Sequence, residues 1–188
     1  MISSRYDYIV QLMKTTCHSA EVAKEWQSYV YTTLKKGIDS AEFEVEIIGS
    51  IDIADMFSKP ITDIMVSSEK ADMEDIVRIL QTDNPCFMEI QLYNKSEERK
   101  MLRIYDDSNQ PNLHVHVVSW DYWGISRERA FHSQLLNTPT LRHLYSSAKQ
   151  YFLETGGSDP KHYGERKELF LRWLEYDIGT TVKSGENK

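Results

Sequence analysis

Three groups of residues in this 188-residue chain have the types and spacing to handle phosphate or metal. The first is Asp63, which stands among Ile61, Ile64, Met65 and Val66. A carboxylate rising from an apolar strand is costly unless a metal, a cation or a proton compensates it. Such a rigidly held oxygen ligand suits a divalent metal, Mg²⁺ being the expected one; the plainer alternative is a pairing with Lys59 or a backbone amide. The second is Gly49-Ser50, at the end of the preceding strand. Without a side chain at Gly49 the backbone can turn sharply and approach a ligand, and the amides and hydroxyl around Ser50 can then hold a phosphate. The third is the pair His114 and His116 in LHVHVV. Two residues apart on a strand, they point to one face and can ligate one metal or touch one phosphate, although each is also compatible with a satisfied strand histidine. If His116 approaches Asp63 it is either a metal ligand or a base toward an acceptor hydroxyl. Glu46 is a further ligand candidate or a solvated side chain.

These residues need a sheet to hold them. In 43–48 Phe43, Val45 and Ile47 alternate with Glu42, Glu44 and Glu46, the period of a half-buried strand. A short helical link and Lys59-Pro60 lead to a second strand over 61–66. Upstream, a short helix is expected over 4–16 and a longer one from Ser19 to Lys36, with Gly37 as its stop and Trp26 on its core stripe. Downstream, Asp72 caps a helix to Leu80, strands follow at 86–94, 101–106 and 112–120, and helices run from Ser126, Thr138-Pro139 and Asp159-Pro160. The order argues for an α+β fold with a mixed sheet flanked by helices and a helical C-terminal third. One domain over 1–178 and a loose tail over 179–188 are expected.

A net charge of −7 argues against a general nucleic-acid binder. Acidic residues dominate before residue 127 and basic ones slightly after it, so the C-terminal third can face an anion or simply be a solvated helical surface. Two cysteines, neither in a CxxC pattern, point to reduced thiols and a cytoplasmic location. No long apolar run predicts membrane insertion.

IGS, an eight-residue link, KP and ITDIMV, followed far downstream by LHVHVV, Trp123, FHSQLL, Tyr145, Lys149, Tyr163 and Lys167, resemble the GrpB family, placed in the nucleotidyltransferase superfamily. The resemblance implies a nucleotidyltransferase-like fold in which Gly49 and Ser50 grip a nucleoside triphosphate. It also implies that Asp63 holds Mg²⁺ and that Lys59, Lys149 and Lys167 neutralise phosphate charge. The chain departs from the family pattern in two places. Ile51, Asp52, Ile53, Ala54 and Asp55 replace a Thr-Ala-Val-Pro-Gly link, and His132-Ser133 replaces an Arg-Asp pair. The superfamily's Asp-x-Asp is also missing, with Ile61 and Met65 where a second acid would stand.

The expectation is a nucleotidyltransferase that binds a nucleoside triphosphate and Mg²⁺ and serves an unidentified acceptor. Asp63 and His116 would be catalytic, and Asp63, His114 and His116 would be metal ligands. The alternatives are an inactive nucleotide-binding or interaction protein of the same fold, and a metal-dependent hydrolase built on the histidine pair.

Overall fold

The computed structural model describes residues 12–38, 41–82, 89–105, 111–122 and 124–185. Five strands form a mixed sheet in the order β2 (Phe43–Ile48), β4 (Thr62–Ser68), β7 (Pro111–Ser119), β6 (Arg99–Tyr105), β5 (Glu89–Ser96). β4 and β7 are parallel and every other pair is antiparallel. A parallel pair needs a crossover, which here passes through α2 (Met73–Thr82) and the β5–β6 hairpin.

The alternation in β2 places Phe43 and Val45 against the main core. That core joins one sheet face, including Ile64, Val66, Val115 and Val117, to α1 (Cys17–Gly37) and α2. Val30 and Leu34 of α1 are fully buried in it, and Trp26 packs at its edge, as its place on the helical stripe predicts. Helix α1 starts earlier than Ser19 because Thr16 is the cap: its hydroxyl accepts from the Ser19 amide at 3.4 Å while the Ser19 hydroxyl accepts from the Thr16 amide at 3.2 Å. Gly37 lies inside the helix rather than after it. A Cβ there would meet Ile79 at 2.8 Å, so its bareness lets α1 close on α2.

On the opposite side α3 (Gly124–Asn137) packs on β2, α4 (Pro139–Gly156) on α3 and β3 (Phe57–Ser58), and α5 (Pro160–Gly185) on α4. Ile48, Met65, Val118, Tyr122 and Ile125 form a second core there, and Ile53, Met56, Leu135 and Tyr145 a third. The Asp159 carboxylate accepts from the His162 amide at 2.8 Å, which starts α5 as the Asp-Pro signal predicts. That helix continues through Gly185, past the end at Ile178 read from its fading periodicity.

The structure differs from the sequence reading at the N-terminus. Of the helix expected over 4–16, residues 1–11 lie outside the described residues, and Met13–Lys14 instead form β1, antiparallel to β3 (Phe57–Ser58). Thr15 explains the pairing. Its amide donates to the Met56 carbonyl at 2.7 Å and its hydroxyl accepts from the Met56 amide at 2.9 Å, a backbone partnership about forty residues away that no local pattern announces. The segment between β2 and β4, expected to be partly helical, is a series of turns with β3 in it.

Candidate functional site

The strand registers decide which side chains meet. Ile48, Asp63, His114 and Arg103 form one row across β2, β4, β7 and β6, and Glu46, Met65, His116 and Met101 form the next on the same face. Asp63 and the two histidines are therefore neighbours although 51 residues separate Asp63 from His114. His114 Nδ1 lies 3.0 Å from Asp63 Oδ1, and His116 Nε2 lies 3.7 Å from the same oxygen. One ligand atom from each of the three falls within 4.8 Å of the other two. The Asp63 side chain keeps 28 % of its surface exposed, whereas both histidines are buried.

Burial alone would raise the Asp63 carboxyl, but the hydrogen bonds and charge of His114 and His116 outweigh it and hold the group well below the usual carboxylate range. Burial holds the His114 imidazole down at about 4, against the opposing pull of Asp63. At neutral pH, then, an ionised Asp63 faces a neutral His114. The Nδ1 of that ring carries the proton directed at Asp63, and its buried Nε2 has no hydrogen-bond partner among the described residues.

The Gly49–Ser50 turn closes against this cluster. Gly49 has φ +93°, and a Cβ there would lie 3.0 Å from Asp63 Oδ2. The position demands glycine for its backbone and for the nearness of the carboxylate. The next residue, Ser50, is held by Lys149 Nζ at 2.6 Å and stands 2.9 Å from the Ser58 hydroxyl. Lys149 reaches it from α4, itself fixed to β3 by the Phe57 amide donating to Ser146 Oγ at 2.7 Å. Lys149 is 2 % exposed, and its Nζ lies 4.5 Å from the centre of the Tyr145 ring. Burial pushes it well below its ordinary pKa, and the charges of Lys167 and Lys59 push the same way. Tyr145 is buried, stacks on Phe170 and hydrogen-bonds Lys167, and burial raises its phenol. Its body is thus core, as its type suggests, with its hydroxyl turned to the lysines.

Eight of the residues singled out from the sequence gather in this region: Gly49, Ser50, Asp63, His114, His116 and Lys149 through direct contacts, Lys59 and Lys167 through the charges they exert on Lys149. Glu46 is not part of it. Both its oxygens bind Arg129 Nε, at 2.9 and 2.7 Å, tying β2 to α3. Four contributors escaped the sequence reading. Arg99 Nη2 lies 2.9 Å from His116 Nδ1 and its Nη1 donates to the Tyr122 hydroxyl at 2.6 Å, with Glu128 at 3.3 Å. Buried Arg103 occupies the place beside His114 on β6. The period of two in Arg99, Met101 and Arg103 was a visible signal, but only the β6–β7 register gives it meaning. Trp123 lies outside the described residues.

The GrpB protein family model matches residues 18–176. The chain belongs to the GrpB family. The crystal structure of conserved protein GrpB from Enterococcus faecalis matches it with a TM-score of 0.74 at 20 % identity, over 92 % of this chain and 99 % of that one. The GLD-2/RNP-8 complex matches with a TM-score of 0.58 at 12 % identity, over 86 % of this chain and 60 % of that one. Cid1 poly(U) polymerase with MgGTP bound gives 0.56 at 10 % identity, over 75 % and 44 %. These likenesses establish a nucleotidyltransferase-like fold for this GrpB member. Among curated proteins no sequence matches it.

The departures from the GrpB pattern meet one another in space. Asp52 in the link and His132 of α3 form a half-buried pair, with His132 Nε2 3.1 Å from both carboxylate oxygens. Asp55, where the family pattern has Gly, takes φ +63°. That left-handed step is taken by a residue type that tolerates it.

Proposed function

We propose that this GrpB member binds a nucleoside triphosphate through the Gly49–Ser50 turn and transfers its nucleotidyl group to the hydroxyl of an unidentified acceptor, the new bond forming at the α-phosphorus as the bond to the departing pyrophosphate breaks. The observation that carries the reading is the contact of that turn with Asp63 on one side and Lys149 on the other. The positive charges of Lys59 and Lys167 reach buried Lys149 and disfavour its ammonium, an arrangement that an arriving polyphosphate would relieve. A phosphate would take the place of the Ser50–Lys149 bond and give the buried ammonium its counter-charge.

Two Mg²⁺ ions do not fit the donor set. Magnesium demands oxygen ligands, and Asp63 is the one carboxylate in the metal-competent cluster among the described residues. One carboxylate with imidazole nitrogens suits a single borderline cation instead, held by Asp63 and His114 with His116 beside them. Such an ion would supply Lewis acidity to a phosphoryl oxygen.

The lone carboxylate also favours a second reading, in which nucleotide is bound and no group is transferred. Calorimetric titration with ATP, with Mn²⁺, with Mg²⁺ and with neither, separates the two when combined with a radiolabelled transfer assay. Transfer predicts cation-dependent binding and label incorporation, both lost in Asp63→Asn. Binding without incorporation supports the second reading, and absence of ATP binding rejects both.

A further inference from the structure

The two histidines are held by different partners, and the partners dictate where each ring carries its proton. A guanidinium has five donors, no acceptor, and stays protonated. Arg99 Nη2, 2.9 Å from His116 Nδ1, is therefore the donor in that bond, and Nδ1 must be the bare nitrogen. In the neutral ring the proton then sits on Nε2, the atom that faces Asp63 Oδ1. Rotating the ring by half a turn would replace both nitrogens by carbons at these contacts, so no other orientation keeps the two interactions. In His114 the order is reversed. Its Nδ1 faces the ionised Asp63 at 3.0 Å and carries the proton, leaving Nε2 bare. Asp63 thus faces one N–H from each ring, by way of opposite tautomers: it accepts a hydrogen bond from His114 and stands 3.7 Å from His116 Nε2.

Arg99 is well placed to enforce this. Its Nη1 donates to the Tyr122 hydroxyl at 2.6 Å and lies 3.3 Å from Glu128 Oε1, and its guanidinium carbon sits 5.4 Å from the centre of the Tyr122 ring. Contacts from the β7–α3 connection and from α3 fix the fork, and the fork fixes His116. Metal-bound histidines ordinarily donate their second nitrogen's proton to a carboxylate or carbonyl. A cation-bearing partner at that nitrogen is the reverse of what a ligand needs, because it occupies the one in-plane lone pair of the neutral ring and leaves the nitrogen facing Asp63 protonated.

We propose that Arg99 is a positioning residue that locks His116 as the Nε2–H tautomer, making it a hydrogen-bond donor in the site and withholding it from metal. This rests on the site proposed above being the functional one, but its test does not need turnover. Long-range ¹H–¹⁵N correlation spectra of the neutral rings, assigned with His116→Gln and His114→Gln, should show Nε2–H at His116 and Nδ1–H at His114. In Arg99→Lys, which retains a donor-only cation, the His116 pattern should persist. In Arg99→Met it should shift toward a mixture of tautomers.

Cobalt(II) titration gives the second readout. Arg99→Met should bind Co²⁺ at least about tenfold more tightly, as His116 joins Asp63 and His114. Since loss of a positive charge alone would also favour a cation, Arg99→Met/His116→Gln decides the cause: the gain should vanish there. A gain that survives in the double variant, or a wild-type His116 carrying its proton on Nδ1, overturns the assignment. A wild-type protein that takes up no Co²⁺ counts against the cation in the proposed function, while the spectra still decide the role of Arg99.

Discussion

At the scale of single residues, the site combines groups whose ionisation is set by burial. Free His114 has an ordinary pKa of 6.5 and a folded value of about 4, so between those limits the unfolded chain binds more protons than the native one. Stability must therefore fall as pH drops through that window. Asp63, held well below its ordinary 3.8, adds to the loss as pH falls further, because it is protonated in the unfolded chain first. The melting temperature should decrease from pH 7 to pH 4, and His114→Gln should flatten the slope between those values. Lys149 acts in the opposite direction on ligand binding. Its ammonium is disfavoured by burial and by two neighbouring lysines until an anion arrives. Triphosphate binding should be coupled to proton uptake and should tighten as pH falls toward neutrality from the alkaline side. Titration calorimetry in two buffers of different ionisation enthalpy would count the protons. Lys149→Met should remove the coupling and weaken binding at least about tenfold, in keeping with the loss of a buried charge-assisted bond.

At the scale of elements, the turn after β2 is the most constrained piece of backbone. Gly49 has φ +93° and lies against Asp63, so Gly49→Ala combines strain with a contact at 3.0 Å and should cost about 1–3 kcal/mol in denaturant unfolding. Asp55 is the gentler case. Asp55→Gly relieves its φ of +63° and loses only an exposed ion pair with Lys14, so it should be neutral or stabilise by up to about 1 kcal/mol. Asp55→Val should destabilise by about 1–2 kcal/mol, because a β-branched side chain resists the left-handed region. What was legible in the sequence follows the same division. The alternation in 43–48, the His-x-His spacing and the Asp-Pro helix start are local signals, and each names its element correctly. β1 was misread because its partner is β3, some forty residues on, and Arg99 was missed because a cross-strand neighbour exists only once the order β7–β6 is known. Lys149 and Lys167 had nothing in their helical spacing to mark them; only the resemblance picked them out, and the packing of α4 explains how Lys149 reaches Ser50.

At the scale of the molecule, the charge balance of the whole opposes that of the site. The chain carries −7, yet Lys149, which holds Ser50, lies within the fields of the positive Lys59 and Lys167. An approaching polyphosphate is repelled at long range and attracted at contact. Salt screens the first effect beyond a Debye length of about 8 Å at physiological ionic strength, but screens a buried contact far less. Nucleic-acid binding behaves differently: each phosphate neutralised contributes a slope of about −0.7 to −0.9 in log affinity against log salt, so six to ten contacts lose about 10³–10⁵ between roughly 50 and 200 mM. ATP binding by this GrpB member should instead change by less than about threefold over that range, because one buried cluster dominates and the overall repulsion it must overcome weakens as salt rises. Filter-binding or calorimetric affinities at the two salt concentrations would check this. A steep decrease for ATP would mean that the contacts are made by exposed lysines rather than by buried Lys149, and tight salt-sensitive binding of oligonucleotides would place the acceptor among RNAs instead of small molecules.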